Sequence, residues 1–387
     1  MNAVAPSRFD LVEFNNMVTP YTSRLFNRLA EDGVRLGVLS CTASESNRRW
    51  GEPGAKLYAH EILRGIELCV APRRYAHLNL GIWRALGRMR PRLLVLNGFY
   101  PSMLIAWAWA RWTRTPVALR VDGGADDMPM SLYHRLVRPR MLRSCRAVLT
   151  SGVKGTRYFA AQGFGPDRIF EMPLVPAWDA PADLPDFGAR DTDLLWVAEI
   201  DDAVKNAGFF VDVVRRVHAQ RPRLRVRIVG EDRGFGLAGR LHALGIAGRH
   251  DPAIPWHDMA DIFAGAKLLL LPSRREAWGL VCNEAMQCGT PCMVSTQVGA
   301  ADDLVRDGLG GHVLPLDPER WVANIHALLD DPAAWTACSI HARADAGQRT
   351  VAGSAAIYRR MAAFATRGAV ASTAYASTLA ASPGGRE

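Results

Sequence analysis

LLLLPSRREAWGLVCNEAMQCGTPCMVS, residues 268–295, alternates two kinds of segment. Its opening leucines have no polar residues between them, which predicts a strand buried on both faces, as in a parallel sheet covered by helices. Pro272 stops that strand and a polar loop follows. Trp278–Gly279 opens a helix, Gly289–Thr290–Pro291 closes it, and CMVS begins the next strand. One βαβ unit is complete within this stretch.

The same rhythm continues on both sides. GHVLP is a further strand downstream; upstream stand LLWVAEI, a helix from about Asn206, RVRIVG and another helix. PAWDAPADLPDFGARDT, 176–192, breaks the pattern with three prolines, four aspartates and no periodicity, and reads as a linker. Before it, strands are expected near 9–14, 34–40, 66–71, 92–97, 116–121 and 147–151, each followed by a helix. The fold class is therefore α/β, with two doubly wound Rossmann-like domains facing a central cleft, 1–175 and 193–345. A C-terminal helix, 346–368, is expected to pack back toward the first domain. Residues 369–387, poor in bulky aliphatics and rich in Ala, Ser and Gly, are expected to be disordered.

Composition narrows the function. With 387 residues, 49% hydrophobic and 22% charged, the chain is globular, and fibrous classes are excluded. Its 7 cysteines are scattered with no C-x-x-C pair, which argues against a disulfide framework or zinc ribbon and fits a reducing compartment. The amino terminus has no basic stretch followed by an apolar run, so no signal peptide is read there. Residues 93–110 are uncharged, but Asn97, Gly98 and Pro101 divide them into strand end, turn and helix start rather than a membrane span.

Charge is uneven: residues 1–175 hold 25 Lys and Arg against 13 Asp and Glu, the remainder 22 against 25. The first half thus faces something anionic: phospholipid, a diphosphate-linked acceptor or nucleic acid. WRALGRMRPR (83–92) and HRLVRPRMLRSCR (134–146) concentrate nine arginines, and Trp107, Trp109 and Trp112 fall on different faces of one helix. Arginines beside an interfacial tryptophan suit an anionic membrane surface, and a solvated basic face fits equally. No stacking motif or reading helix supports nucleic acid, which is set aside.

The free N–H groups and dipole of the helix opening at Gly279 form an anion site suited to a diphosphate. Glu276 in the loop and Glu284 in the helix can accept hydrogen bonds from sugar or ribose hydroxyls; taken alone, they are as readily an exposed and a capping glutamate. GFGLAG, 234–239, satisfies G-x-G-x-x-G, but three charged residues separate it from its strand, so loop and helix packing is the better reading.

Glu276-x7-Glu284, with Gly279 between them and GTP after them, resembles the signature of family 4 retaining glycosyltransferases of the GT-B fold (glycosyltransferase group 1). The resemblance extends over 194–335, through RVRIVGED and VGAADDLVRDGLGGHVLPLDPERWVANIHALLDD. It implies a nucleotide diphosphate sugar donor, UDP- or GDP-linked, no cofactor and no metal. Glu276 would touch the donor sugar, and the N–H groups of Trp278, Gly279 and Leu280 would meet sugar and diphosphate. Glu284 would bind the ribose, Gly230 would belong to the phosphate loop, and Lys205 would neutralise the diphosphate. Catalysis is expected from Glu276, Asp122 and Lys205.

Departures accompany the matches. Glu199 stands where the family carries an arginine and is expected to point away, with Arg274 or Arg275 either supplying the missing charge or simply solvated. Asp122 replaces a histidine and either bonds a sugar hydroxyl or caps the turn before Gly123. Thr19, Pro20 and Tyr21 occupy the family's Gly-Gly turn, as a phosphate or acceptor loop or as plain helix initiation. The expected acceptor is a saccharide or lipid-linked saccharide of surface or exopolysaccharide synthesis, reached from the cytoplasm or the inner membrane face. The alternatives are a nucleotide-sugar epimerase, or an inactive nucleotide-binding or partner-binding protein of the same fold.

Overall fold

Strands that carry unbroken apolar runs must be covered on both faces, and two such sheets organise this chain. In a computed structural model, the structure describes residues 8–44, 54–71, 74–124 and 132–367. The tail expected at 369–387 lies outside them.

The first sheet holds β1 (Leu11–Asn15), β2 (Leu36–Ser40), β3 (Ala59–Ile62), and, beyond the hairpin β4 (Ile66–Ala71) and β5 (Arg74–Leu78), β6 (Leu94–Asn97), β7 (Val117–Val121), β8 (Ala147–Thr150) and β9 (Ile169–Glu171). Its order is β3-β2-β1-β6-β7-β8-β9, all parallel. Between the strands run α1 (Pro20–Glu31), α2 (Ile82–Met89), α3 (Pro101–Thr113), α4 (Leu132–Ser144) and α5 (Val153–Ala161). The uncharged stretch 93–110 is thus β6, a turn and most of α3. No helix among the described residues is long and apolar enough to cross a membrane.

The second sheet holds β10 (Thr192–Val197), β11 (Val226–Val229), β12 (Gly248–Asp251), β13 (Ala266–Leu271), β14 (Cys292–Ser295) and β15 (Gly311–Leu314), in the order β12-β11-β10-β13-β14-β15 and again parallel. Its helices are α6 (Ala207–Gln220), α7 (Leu237–Ala243), α8 (Met259–Ala264), α9 (Leu280–Gln287), α10 (Pro318–Asp330) and α11 (Pro332–Gly347). Strand order reverses beside β1 in one sheet and beside β10 in the other. Connections leave in opposite directions there and open a crevice at the carboxyl ends of the strands.

Segment 66–71 is a strand, but not of the parallel sheet. It pairs antiparallel with β5 in a separate two-stranded ribbon. Only residues 72 and 73 separate the two, far fewer than a parallel crossover requires. The place beside β2 goes to β3, AHEI, a half-exposed edge strand. Edges carry polar residues, so β3, β9 (IFE) and β12 (GRHD) lack the apolar signature of the central strands.

A last helix, α12 (Val351–Thr366), leaves the second sheet and covers the first. Ala355, Tyr358, Met361 and Ala365 are fully buried with Leu25, Phe26 and Leu29 of α1 and alternate strand residues. Tyr358 donates its hydroxyl to Glu13 of β1, which also takes a 3.0 Å bond from Arg120 of β7. Burial pushes the Glu13 carboxyl above its ordinary value, against the pull of Arg120 and Tyr358.

Candidate active site

β10 and β13 diverge at the reversal of strand order in the second sheet, and the loops that follow them are stitched together. After β10, the Val204 carbonyl accepts the Arg274 N–H at 2.8 Å, and the Asn206 side-chain amide donates to the Pro272 carbonyl at 3.1 Å. Asp201 caps the N–H of Val204 at 2.6 Å. These bonds bring Lys205 onto Glu276: ammonium and carboxylate form an ion pair, with side chains 21% and 18% exposed. Nothing in the chain's local pattern links these residues, which lie 71 positions apart.

α9 starts beside this pair. Gly279 is its N-cap at φ 103° and ψ 62°, a left-handed conformation that disfavours any side chain, and a Cβ there would also meet Val298 Cγ1 at 3.2 Å. With no side chain to cap it, the helix directs its free N–H groups and positive dipole end toward a cavity of about 500 Å³ that Gly279, Leu280 and Val281 line. Gly230 lines the same cavity at the end of β11; a Cβ there would lie 1.8 Å from the Ala198 carbonyl, so only glycine lets β10 and β11 end side by side.

Glu284, on the first turns of α9, lines the cavity with no hydrogen-bond partner among the described residues. Burial pushes its carboxyl up to about 7. An acceptor poised between charge states in a concave wall is suited to a hydroxyl-bearing ligand. Pro20 and Tyr21 from the first domain, and Ala177 and Trp178 from the segment between the domains, complete the enclosure.

Eight residues singled out in the sequence therefore meet at one cavity: Pro20, Tyr21, Lys205, Gly230, Glu276, Gly279, Leu280 and Glu284. Three do not line it. Thr19 is buried and initiates α1, its hydroxyl accepting the Thr22 N–H at 3.2 Å in a capping box with Pro20 at the first helical position. Trp278 packs its side chain into the core and donates from its indole nitrogen to Asp303 at 3.1 Å. Asp122 follows β7, accepts a 2.7 Å bond from the Ser151 hydroxyl and lies 4.0 Å from the Arg120 guanidinium.

Glu199 does not point away. It lines the cavity and is neutralised by Arg233 at 2.5 Å, which also pairs with Glu231 at 3.0 Å. Arg274 and Arg275 are exposed and absent from the cavity wall. The guanidinium that meets Glu199 and Glu231 at the ends of β10 and β11 is thus Arg233, in a sequence run where it looked like one charge among three. In the basic helix α4, Arg138 is buried over the Phe99 ring at 5.3 Å, whereas Arg135, Arg140 and Arg143 are exposed.

Residues 191–331 match the family model described as glycosyl transferases group 1, and residues 18–174 that described as glycosyl transferase 4-like domain. A D-inositol 3-phosphate glycosyltransferase of Thermobispora bispora is 40% identical over 127 residues, 30% of this chain and 29% of that protein. One from Catenulispora acidiphila is 43% identical over 90 residues, 23% of this chain and 21% of that one. The chain thus spans less than a third of the length of these curated relatives. Anabaena Alr3699/HepE, solved in complex with UDP and glucose, superposes with a TM-score of 0.69 at 13% identity, covering 90% of this chain and 98% of that one, a likeness of fold. Two doubly wound domains, a cleft at their strand ends and both family matches lead to one assignment: the chain belongs to the family 4, group 1 glycosyltransferases and has the GT-B fold.

Proposed function

We propose that the chain transfers a sugar from a nucleotide diphosphate sugar to an acceptor hydroxyl, with retention of configuration and without a bound metal. The Lys205–Glu276 pair beside the open end of α9 carries this reading. A diphosphate entering the cavity takes Lys205 and the N–H groups of Gly279 and Leu280 on its wall as partners, freeing the Glu276 carboxylate for sugar hydroxyls. As the anomeric C–O bond breaks, those same groups hold the charge that develops on the leaving diphosphate. The acceptor oxygen attacks from the same face, and its proton passes to the departing phosphate oxygen. Glu284 takes the ribose hydroxyls. HepE, solved with UDP and glucose, supports a uridine nucleotide as the first donor to try.

For the acceptor we propose a lipid-linked saccharide at an anionic membrane face. Trp112 is 79% exposed and Trp83 44% exposed on α3 and α2, among exposed Arg84, Arg88, Arg111 and Arg114. The relatives' name favours a second acceptor, an inositol phosphate, whose anionic group suits the same basic domain.

The test is transfer from labelled UDP-glucose in the presence of phosphatidylglycerol vesicles carrying polyprenyl-linked saccharide, or of inositol 3-phosphate in solution. Label is expected in the organic extract; label on inositol phosphate instead would replace the lipid acceptor. Glu276→Ala should lower turnover tenfold or more, since tenfold is about 1.4 kcal/mol, the lower end for one charged hydrogen bond. Wild-type turnover in that variant would refute the site.

A further inference from the structure

The donor loop is gripped from behind by the other domain. Residues 298–303 run beneath 276–278: the Gly299 N–H donates to the Glu276 carbonyl at 3.3 Å and the Ala300 N–H to the Trp278 carbonyl at 2.7 Å. Gly299 leaves no space between the layers, since a Cβ would lie 2.3 Å from the Ala277 carbonyl oxygen.

This segment ends at Asp303, whose carboxylate accepts two kinds of bond. One comes from the Trp278 indole, at 3.1 and 3.2 Å to its two oxygens. The other crosses the cleft from the backbone N–H of Val153, first residue of α5, at 3.1 Å. Gly152 approaches so closely that a Cβ would stand 1.9 Å from Asp303 Oδ2. Alongside, Lys154 Nζ donates to the Glu276 carbonyl at 3.3 Å, and the Arg157 guanidinium pairs with Asp302 at 2.9 Å. First-domain groups thus hold both the floor of the donor loop and its backbone.

We propose that Asp303 is a positioning residue: it clasps the second domain to the start of α5 and, through Trp278, sets the Glu276–Gly279 loop for transfer. Asp303 does not line the donor cavity. Each sheet has its own buried clusters on both faces, so breaking the clasp leaves both cores intact. Displacing a catalytic loop by about 1 Å costs on the order of 10²-fold in rate, so a contact remote from the chemistry is enough to control it.

The inference rests on the donor reading of the 276–284 turn. Its test cuts one contact from either side. Asp303→Asn keeps the shape and removes the charge; Gly152→Ala drives a methyl from the first domain into the Asp303 carboxylate and against the Trp278 indole that it holds, 2.7 Å from Nε1. Backbone at Gly152 is extended, φ 177°, which alanine adopts without strain. Turnover of UDP-glucose, its affinity by calorimetry, melting temperature and X-ray scattering are measured for both variants and their combination.

Each single variant should lower turnover about tenfold or more, with UDP-glucose affinity within about threefold and melting unchanged. The double variant should be no slower than the slower single one, because both break the same junction of Asp303, Trp278 and the start of α5. The radius of gyration should rise, with or without UDP-glucose. Losses that multiply in the double variant, turnover that falls only in step with melting temperature, or an unchanged radius would overturn the clasp. Scattering without UDP-glucose tests the clasp alone, whereas wild-type protein that fails to bind UDP-glucose indicts the uridine-donor reading.

Discussion

Two turns of the second sheet place glycines at the start of a helix after a strand, and they have opposite fates. At 234–239 the Asp232 carboxylate accepts the N–H groups of Gly234, Phe235, Gly236 and Leu237, at 3.0, 2.7, 3.2 and 2.7 Å, so the turn's donors and the first two N–H groups at the start of α7 are already taken. At 276–280 the nearby carboxylate, Glu276, is drawn off by Lys205, and Gly279 offers no cap. The richer glycine motif is a closed turn and the sparser one an open anion site. Glycines report backbone freedom; whether the N–H groups are vacant depends on where the neighbouring carboxylate goes.

The sharpest way to break this comparison is to remove the cation that keeps the second turn open. Lys205→Ala should weaken UDP binding about a hundredfold, the 2–3 kcal/mol of a charged hydrogen bond, and leave uridine binding unchanged, both read by calorimetry. Equal losses for nucleotide and nucleoside would place Lys205 outside the diphosphate site.

The converse experiment opens the closed turn. Asp232→Ala should cost about 2 kcal/mol of stability, at the upper end for a helix cap, and leave UDP affinity untouched. Against the desolvation that would raise it, bonds from Leu237, Phe235, Gly236 and Gly234 hold the Asp232 carboxyl below its usual range. A lowered folded value means the stabilisation is present above the unfolded carboxylate pKa and lost as pH falls through the folded one. Melting curves of wild type and variant should therefore converge in acid. A persistent gap there would mean that the cap acts through packing rather than charge.

The smallest effect sharpens the role of Glu284. Burial raises its folded value to about 7, so its contribution to stability declines as pH rises from the unfolded value of 4.5 through that range. Glu284→Gln should melt higher than wild type at pH 8 and alike near pH 4. It should also weaken UDP-glucose binding a few-fold at pH 8, roughly one neutral-for-charged hydrogen bond. Nucleotide-sugar diphosphates do not titrate between those pH values, so the ligand adds no pH dependence of its own. A variant that binds as tightly as wild type at pH 8 would detach Glu284 from the ribose.

Much of the site was legible because strand ends, a helix start and an offset of eight residues are local features. Glu276, Gly279 and Glu284 could be named from the turn and helix that follow an apolar run, whereas Lys205 and Gly230 were named through the family resemblance. Glu199 was misjudged because repulsion from a diphosphate was weighed without its partner: Arg233 sits 34 positions on and meets it only once β10 and β11 pair. Thr19 was placed in the site by the motif that contains it, yet its hydroxyl caps the nearer Thr22 N–H; Trp278 was named for its backbone N–H, and its indole, of which the motif says nothing, is held by Asp303. The ribbon β4–β5 was misplaced because an apolar run announces a strand and says nothing of its neighbour.

What the sequence determined by itself was the pair of parallel sheets, since uninterrupted runs such as LLLL leave no face for water and demand helices on both sides. It also determined where the chain turns at the strand ends, because glycine at left-handed angles and proline at helix starts follow from backbone sterics alone. Tertiary structure alone decided which charges meet. Lys205 with Glu276, Glu199 with Arg233 and Asp303 with the start of α5 are pairings across tens or hundreds of residues, and an ion pair or a capped helix end has no periodicity to betray it. Such contacts are chosen by the geometry that remains after the cores have formed.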